Sequence, residues 1–139
     1  MKIRTFSAAD TAAVSALWTA VFGYEVPHNH PASVIRKKLA LQRELFFVAD
    51  DEGQVVGTIM GGYDGHRGWI YSLAVEPQFR KRGIGRDLVQ HLERALADLG
   101  CLKINLQILA GNSDVAGFYE RLGYRVEPRI SMGKILSNV

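Results

Sequence analysis

The stretch from Leu73 to Leu88, LAVEPQFRKRGIGRDL, constrains the fold more than any other part of the sequence. It overlaps the end of an apolar run, WIYSLAV, that is rich in β-forming residues and predicts a strand over 69–75. Pro77 helps to end this strand because proline has no backbone N–H. Apolar residues then recur at helical spacing and predict an amphipathic helix, with Ile84, Leu88, Leu92, Ala95, Leu96 and Leu99 on its buried face.

The loop between this strand and this helix holds four cations and two glycines in seven residues, Arg80-Lys81-Arg82-Gly83-Ile84-Gly85-Arg86. A helix N-terminus has backbone N–H groups without partners, and glycine lets the backbone turn sharply towards a ligand. Successive N–H groups that point inward form a nest for an anion, and surrounding cations attract it from further away. The loop therefore predicts a phosphate site, suited to an extended ligand that ends in a pyrophosphate.

Two better-known phosphate loops are excluded by spacing. The dinucleotide fingerprint G-x-G-x-x-G would need a third glycine where Leu88 stands, and the nucleoside-triphosphate loop G-x-x-x-x-G-K-[ST] is absent. What remains is Arg80-x-x-Gly83-x-Gly85 after a strand that ends in Leu73-Ala74-Val75. The alternative is a basic helix N-terminus with two turn glycines and no ligand.

The whole pattern predicts a mixed α/β fold of the order β-α-α-β-β-β-α-β-α-β-β. Strands are predicted over 1–6, 45–49, 54–63, 69–75, 102–109, 124–127 and 130–136, and helices over 7–23, 31–42, 84–99 and 113–122. Strands 45–49, 54–63 and 69–75 should form an antiparallel meander, whereas the helix between 69–75 and 102–109 makes those two strands parallel. Gly57, Gly61 and Gly62 suggest bulges or close packing against another backbone.

Length and composition predict one domain over residues 1–139, because the chain has no repeat, linker or low-complexity tract. No apolar run approaches the ~20 residues of a membrane span, and the N-terminus lacks a signal-peptide core. The single cysteine, Cys101, excludes an internal disulfide and suits a reducing cytoplasm, where we expect it to be a small core residue. The net charge of +3 is mild and local, so neither a membrane nor nucleic acid is expected as a partner.

A second motif, NSDVAGFYERLGY, spans 112–124. Together with Leu73-Ala74-Val75 and Arg80-x-x-Gly83-x-Gly85, it resembles the signatures of the GNAT superfamily of N-acetyltransferases. The matching positions of this second motif are Asn112, Ala116, Phe118-Tyr119 and Gly123-Tyr124. The stretch GGYDGHRG, Gly61 to Gly68, resembles that of a small bacterial subgroup, the YpeA-like acetyltransferases. The resemblance covers the entire predicted strand order.

This resemblance implies that acetyl-CoA is the cosubstrate and that a primary amine attacks it directly in a ternary complex. A β-bulge near Leu73 would part the two parallel strands, so that the pantetheine arm enters the gap like an added strand. Backbone N–H groups near Leu73 would stabilise the oxyanion. The implied cofactor-binding residues are Leu73, Ala74 and Val75 along the strand, Arg80, Lys81, Arg82, Gly83, Ile84, Gly85 and Arg86 in the loop, and Asn112 beside the pantetheine arm.

The resemblance also makes Tyr119 the candidate catalytic residue, as a general acid that donates a proton or a hydrogen bond to the departing thiolate. A phenol pKa of about 10 is close to that of a thiol, about 8.5. Periodicity alone favours the alternative that Tyr119 is simply a core member of the helical stripe 115–118–119–122. Trp69, Tyr71 and Gln107 stand where related enzymes often carry a carboxylate base, so the base is left open between Asp64, His66, Glu25 and a water chain.

The absence of an evident base keeps a second hypothesis open, a non-catalytic CoA-binding sensor or regulatory module. A nucleic-acid-binding domain is a third hypothesis. It is disfavoured because few aromatic residues accompany the cations. His28-x-His30 lacks a third ligand nearby, so no metal is expected, and the loops 24–31 and 64–68 should shape the acceptor pocket. The acceptor is a small-molecule amine, a protein N-terminus or a lysine, and the chain is a monomer or a homodimer.

Overall fold

The computed structural model describes residues 1–23 and 27–137. They divide into two units, Met1–Asn105 and Leu106–Val139. The first unit holds β1 (Lys2–Thr5), α1 (Thr11–Phe22), α2 (Pro31–Ala40), β2 (Phe46–Asp51), β3 (Gln54–Tyr63), β4 (Gly68–Val75), α3 (Ile84–Asp98) and β5 (Ile104–Asn105). The second unit holds α4 (Ser113–Arg121). The predicted mixed α/β class is confirmed.

The five strands form one sheet in the order β1-β2-β3-β4-β5. Neighbouring strands run antiparallel from β1 to β4, and β5 runs parallel to β4, so the predicted meander and the predicted parallel pair are both confirmed. The sequence predicts a strand over 102–109, but β5 ends at Asn105. The reason is that a strand is defined by its partner, and the ladder with β4 ends at the same residue.

The entry into α1 follows its local sequence signals. The backbone N–H of Ser7 donates to the Asp10 carboxylate at 2.9 Å, as in a capping box, and a 3-10 turn over Ala8–Asp10 leads into the helix. The Arg4 guanidinium donates two hydrogen bonds of 2.8 and 2.9 Å to the same carboxylate and one of 2.9 Å to Asp50. Arg4 therefore ties β1 to the start of α1 and to β2.

Helices α1 and α2 cover one face of the sheet. The buried cluster on this face consists of Phe6, Val14, Leu17, Trp18, Ile35, Phe46, Val48, Met60 and Ala74. The ring of Phe46 stacks between those of Phe6 and Trp18, with centroid distances of 4.3 and 5.7 Å. These contacts bury large aromatic surfaces and fix α1 against the centre of the sheet.

Helix α3 covers the opposite face, where glycines on β3 leave room for it. A Cβ on Gly57 would lie 3.0 Å from Leu88 Cδ1, and one on Gly61 would lie 3.0 Å from Leu92 Cδ2. Both leucines are fully buried. The close packing predicted for these glycines is confirmed, although the nearest neighbours are leucine side chains of a helix rather than another backbone.

The second unit departs from prediction after α4. The predicted strands 124–127 and 130–136 are wrong, because residues 124–137 form no strand. The backbone N–H of Arg129 donates to the Glu127 carbonyl at 2.8 Å, so the chain bends around Pro128 instead of remaining extended. Within the described residues, no helix is both long enough and apolar enough to cross a membrane.

Candidate active site

Strand β4 carries a β-bulge in its centre. The register between β3 and β4 shifts between Thr58 and Met60, so Ser72 and Leu73 together stand opposite Ile59. Ser72 has φ = +53°, a left-handed conformation that residues other than glycine rarely adopt. The bulge predicted near Leu73 is confirmed.

The parallel ladder between β4 and β5 is very short. It pairs Gly68 with Ile104 and Trp69 with Asn105, and no other described strand of the first unit takes over this edge of β4 beyond Trp69. β4 itself continues to Val75. An uncovered strand edge presents backbone N–H and C=O groups that can pair with an extended ligand. The segment 70–75 is therefore the part of this unit where strand-like pairing with a ligand is available.

The loop that follows β4 has the backbone geometry of an anion nest. Lys81 and Gly83 have φ values of +64° and +80°, and Gly83 is the residue that precedes α3. Left-handed residues alternating with ordinary ones turn successive N–H groups towards a common centre. The N-terminus of α3 adds its own unpaired N–H groups and the positive end of its dipole.

Cationic side chains surround this nest. Arg80 Nε donates to the Val75 carbonyl at 3.3 Å, and the guanidinium of Arg82 lies 4.8 Å from the ring centroid of Phe79. Residues 80–87 carry four cations against one carboxylate, Asp87. The cationic residues of the loop are exposed to solvent. The loop therefore offers a positive field and directed donors to an anionic ligand.

Asn112 and Tyr119 lie in the second unit, Asn112 immediately before α4 and Tyr119 within it. The Oδ1 atom of Asn112 accepts from the backbone N–H of Val115 at 3.2 Å and so caps the helix, while its amide NH2 remains a donor. Tyr119 is buried and packs edge-to-face on Phe118 and Tyr124, at centroid distances of 5.0 and 5.5 Å. Burial raises the pKa of the Tyr119 phenol, which therefore stays protonated at neutral pH.

The candidate bases Asp64 and His66 both lie in the loop between β3 and β4. The Asp64 carboxylate accepts from the backbone N–H groups of Arg67 and His66 at 2.7 and 2.8 Å, and these bonds lower its pKa and make it a weaker base. His66 Nε2 lies 3.0 Å from the guanidinium of Arg67. Glu25 lies outside the described residues. Tyr71, on β4, has its phenol pKa raised by burial and by the charge of Asp64.

Among residues 1–23 and 27–137, no three His, Cys, Asp or Glu side chains gather in a way that could hold a metal ion. The predicted core residue Cys101 is only half-buried, and its Sγ lies 2.8 Å from the position of a Cβ on Gly68. His28 and His30 are exposed near the start of α2.

Three residues around the bulge were not predicted from the sequence: Trp18, Thr58 and Ser72. Trp18 Nε1 donates to Thr58 Oγ1 at 2.8 Å, and Thr58 Oγ1 donates to the Ser72 carbonyl at 2.9 Å. A serine within a strand gives no local sign of a left-handed backbone. Thr58 offered a weak signal, since it is a polar residue inside the apolar run of a central strand.

Comparisons with known proteins agree with this geometry. The chain matches the Acetyltransferase (GNAT) family over residues 11–124. It is 43% identical over 136 residues to Acetyltransferase YE1169 of Yersinia enterocolitica, covering 98% of this chain and 96% of that protein. The structure of Ard1 from Thermoplasma volcanium superposes with a TM-score of 0.80 at 26% identity, covering 91% of this chain and 83% of that chain.

A more distant structure shares the fold. AAC(6')-Iy, in complex with the bisubstrate analogue CoA-S-monomethyl-acetylneamine, is similar with a TM-score of 0.77 at 18% identity, covering 98% of each chain. The family match and the 43% identical relative show that the chain belongs to the acetyltransferase (GNAT) family and is an acetyltransferase. Membership of the YpeA-like subgroup stays a prediction.

Proposed function

We propose that this protein transfers an acetyl group from acetyl-CoA to a primary amine by direct attack in a ternary complex, with residues 1–139 acting as one catalytic domain. The observation that carries the proposal is the succession of a strand edge at 70–75, with which no described strand of the first unit pairs, and an anion nest at 81–86. Acetyl-CoA has its parts in the same order: the thioester and the amide-containing arm suit the strand edge, and the diphosphate suits the anion nest. The bisubstrate complex of AAC(6')-Iy supports simultaneous binding of donor and acceptor in this fold.

The proposed binding roles follow the backbone of the first unit. The pantetheine arm pairs with the backbone of Leu73 and Val75, between which Ala74 turns its buried side chain into the core. The diphosphate accepts from the N–H groups of 81–86, with the cationic side chains around it. The NH2 group of Asn112, whose oxygen already caps α4, donates to the arm.

In the proposed reaction, the neutral amine nitrogen forms a bond to the thioester carbon and the carbon–sulfur bond breaks. Backbone N–H groups at the bulge stabilise the negative charge that develops on the thioester oxygen. The Tyr119 hydroxyl donates a hydrogen bond to the departing sulfur. Because burial raises its phenol pKa, Tyr119 stabilises the thiolate as a hydrogen-bond donor more readily than it surrenders its proton.

No strong base has been identified among the described candidates, and this favours acceptors that deprotonate easily. A lysine-like amine with a pKa of about 10.4 requires roughly 4 kcal/mol to become neutral near pH 7.4, whereas an α-amine with a pKa of about 7.8 requires well under ~1 kcal/mol. Asp64 has a lowered pKa, and Trp69, Tyr71 and Gln107 supply no ordinary base. We therefore infer that the acceptor is an α-amine, of a peptide N-terminus or an amino acid, with its proton passing to water.

The test is a thiol-release assay with acetyl-CoA and a panel of amines. The panel contains peptides with a free N-terminus, the same peptides with a blocked N-terminus and one free lysine, a polyamine and an aminoglycoside. The proposal expects release of CoA above hydrolysis with free N-terminal peptides or amino acids. Binding of CoA without release by any amine would instead support the sensor hypothesis.

A further inference from the structure

Two consecutive hydrogen bonds link helix α1 to the bulge of β4. The indole Nε1–H of Trp18 donates to Thr58 Oγ1 at 2.8 Å, and the Thr58 hydroxyl donates to the Ser72 carbonyl oxygen at 2.9 Å. Trp18 and Thr58 are both fully buried. This pair of bonds, which we call the Trp18–Thr58 clamp, lies in the core rather than on the surface of the proposed site.

The direction of both bonds is fixed by chemistry. An indole N–H can only donate, so the Thr58 oxygen must accept from Trp18. A carbonyl can only accept, so the single hydroxyl proton of Thr58 must point at Ser72. Each polar atom of the clamp is thereby satisfied, and water is not needed at this buried position.

The clamp acts on the backbone unit that forms the bulge. Ser72 holds its left-handed φ of +53° while its carbonyl is bound by Thr58. The structure has no cis peptide among the described residues, so the peptide between Ser72 and Leu73 is trans. In a planar trans peptide, C=O and N–H point in opposite directions. Fixing the Ser72 oxygen towards Thr58 therefore turns the Leu73 N–H away from Thr58.

We propose that Thr58, oriented by Trp18, is a positioning residue for acetyl transfer, and that it acts by aiming the Leu73 N–H at the thioester oxygen. This inference rests on the proposed function, in which N–H groups at the bulge stabilise the developing oxyanion. The strained φ of Ser72 is maintained only where its surroundings hold it. Without the Thr58 hydroxyl, the peptide is free to rotate towards ordinary strand geometry, and the Leu73 N–H loses its direction.

The decisive variants are Thr58→Val, which keeps the shape and removes the hydroxyl, and Thr58→Ser, which keeps the hydroxyl. Loss of one oxyanion donor lowers kcat by about 10²–10³, so a misaimed donor in Thr58→Val should lower kcat by at least about tenfold. The dissociation constant for CoA should change by less than about threefold, because CoA has no thioester oxygen for the Leu73 N–H to meet and the loop 80–86 is untouched. Thr58→Ser should restore most of kcat.

Two further variants separate positioning from stability. Trp18→Phe removes the indole donor but leaves the Thr58 hydroxyl free to bond Ser72, so its loss of kcat should be smaller than that of Thr58→Val. Val14→Ala removes buried volume from the same helix without touching the clamp. It should lower the midpoint of urea unfolding and leave kcat at the wild-type value.

A spectroscopic readout tests the clamp without turnover. In a ¹⁵N–¹H spectrum with carbonyl assignments, Thr58→Val should shift the Ser72 carbonyl and the Leu73 amide, and Thr58→Ser should leave both near their wild-type positions. Unchanged shifts in Thr58→Val, or wild-type kcat in that variant, would overturn the clamp. If the wild-type protein turns over no amine, the proposed function is contradicted but the clamp is not. The spectra then still decide whether Thr58 holds the bulge.

Discussion

Leu92 on α3 occupies the space that a side chain on Gly61 of β3 would need. A Cβ on Gly61 would lie 3.0 Å from Leu92 Cδ2 and closer still to Cδ1. Gly57 has the same relationship to Leu88, one helical turn earlier. The absence of side chains on this face of β3 lets α3 lie close to the sheet, and so fixes where its N-terminus and the anion loop stand in the first unit.

This contact makes Gly61→Ala destabilising. Overpacking a filled core costs about 1–3 kcal/mol, because Leu92 must leave its position or the helix must move. The matched control is Gly62→Ala, whose new Cβ would meet nothing closer than 3.7 Å. Urea unfolding should show a lower midpoint for Gly61→Ala and a nearly unchanged one for Gly62→Ala; equal effects of the two substitutions would contradict the packing described for α3.

The Arg4–Asp10 pair predicts a defined acid sensitivity. Hydrogen bonds from Arg4 lower the pKa of the Asp10 carboxyl, so the folded state binds this proton more weakly than the unfolded chain does. The pair therefore stabilises the fold above the unfolded pKa of about 3.9, and this contribution is lost as pH falls through the folded pKa.

Asp10→Asn removes the charge and should lower the free energy of unfolding by about 2 kcal/mol near neutral pH. The difference from wild type should begin to shrink as the pH falls below about 4, because the unfolded wild-type chain then binds a proton at Asp10 that the folded state binds only at lower pH. Urea unfolding of both proteins across this pH range measures the difference in the free energy of unfolding. Asp98→Asn, an exposed position at the end of α3, serves as control and should show little change; a difference for Asp10→Asn that persists at acid pH would contradict the ion-pair explanation.

Tyr119→Phe tests the proposed hydrogen bond to the departing sulfur. The substitution keeps the ring and its contacts with Phe118 and Tyr124, so CoA affinity should change little, whereas kcat should fall by about 10²-fold or more. Since burial raises the phenol pKa, the wild-type kcat should not decline up to about pH 10 through ionisation of Tyr119. Wild-type kcat in Tyr119→Phe would show that this tyrosine is only a core residue.

The anion nest predicts that much of the cofactor affinity resides in the diphosphate. Several charge-assisted hydrogen bonds of about 1.5–3 kcal/mol each would be lost with it, so acetyl-CoA should bind at least about 100-fold more tightly than acetyl-pantetheine. Calorimetric titration of the two ligands gives the ratio directly.

Within the same loop, Arg82→Gln should weaken CoA binding several-fold and reduce its dependence on salt, whereas Arg36→Gln on α2 should do neither. Arg36 provides a matched control because it is also an exposed arginine. Equal effects at the two positions would indicate a general charge effect rather than a site at 80–86.

Features encoded in adjacent residues were predictable from sequence. The Ser7-x-x-Asp10 box, Pro31 at the first position of α2, and the glycine before α3 each act on their own neighbours. The anion loop belongs to the same group, because its donors and cations lie within a single short segment. The family resemblance then predicted a bulge near Leu73, which the register shift between β3 and β4 confirms.

Features that depend on distant partners were not predictable. Ser72 adopts its left-handed backbone where its carbonyl accepts from Thr58 of β3, which in turn accepts from Trp18 of α1. No local sequence pattern encodes these contacts between distant residues. The apolar residues of 130–136 look like a strand in isolation, but a strand needs a neighbour, and none forms there. The assignment of Asn112 and Tyr119 to the cofactor and to catalysis remains a prediction from the resemblance.

The most direct test of cofactor binding at β4 and the anion nest is an NMR titration of the ¹⁵N-labelled protein with acetyl-CoA. We expect the amides of Leu73 and Val75 and those of 81–86 to shift together and to saturate with one ligand per chain. Saturating binding that leaves these amides at their free positions would contradict the claim that the thioester cofactor pairs with the edge of β4 and places its diphosphate at the start of α3.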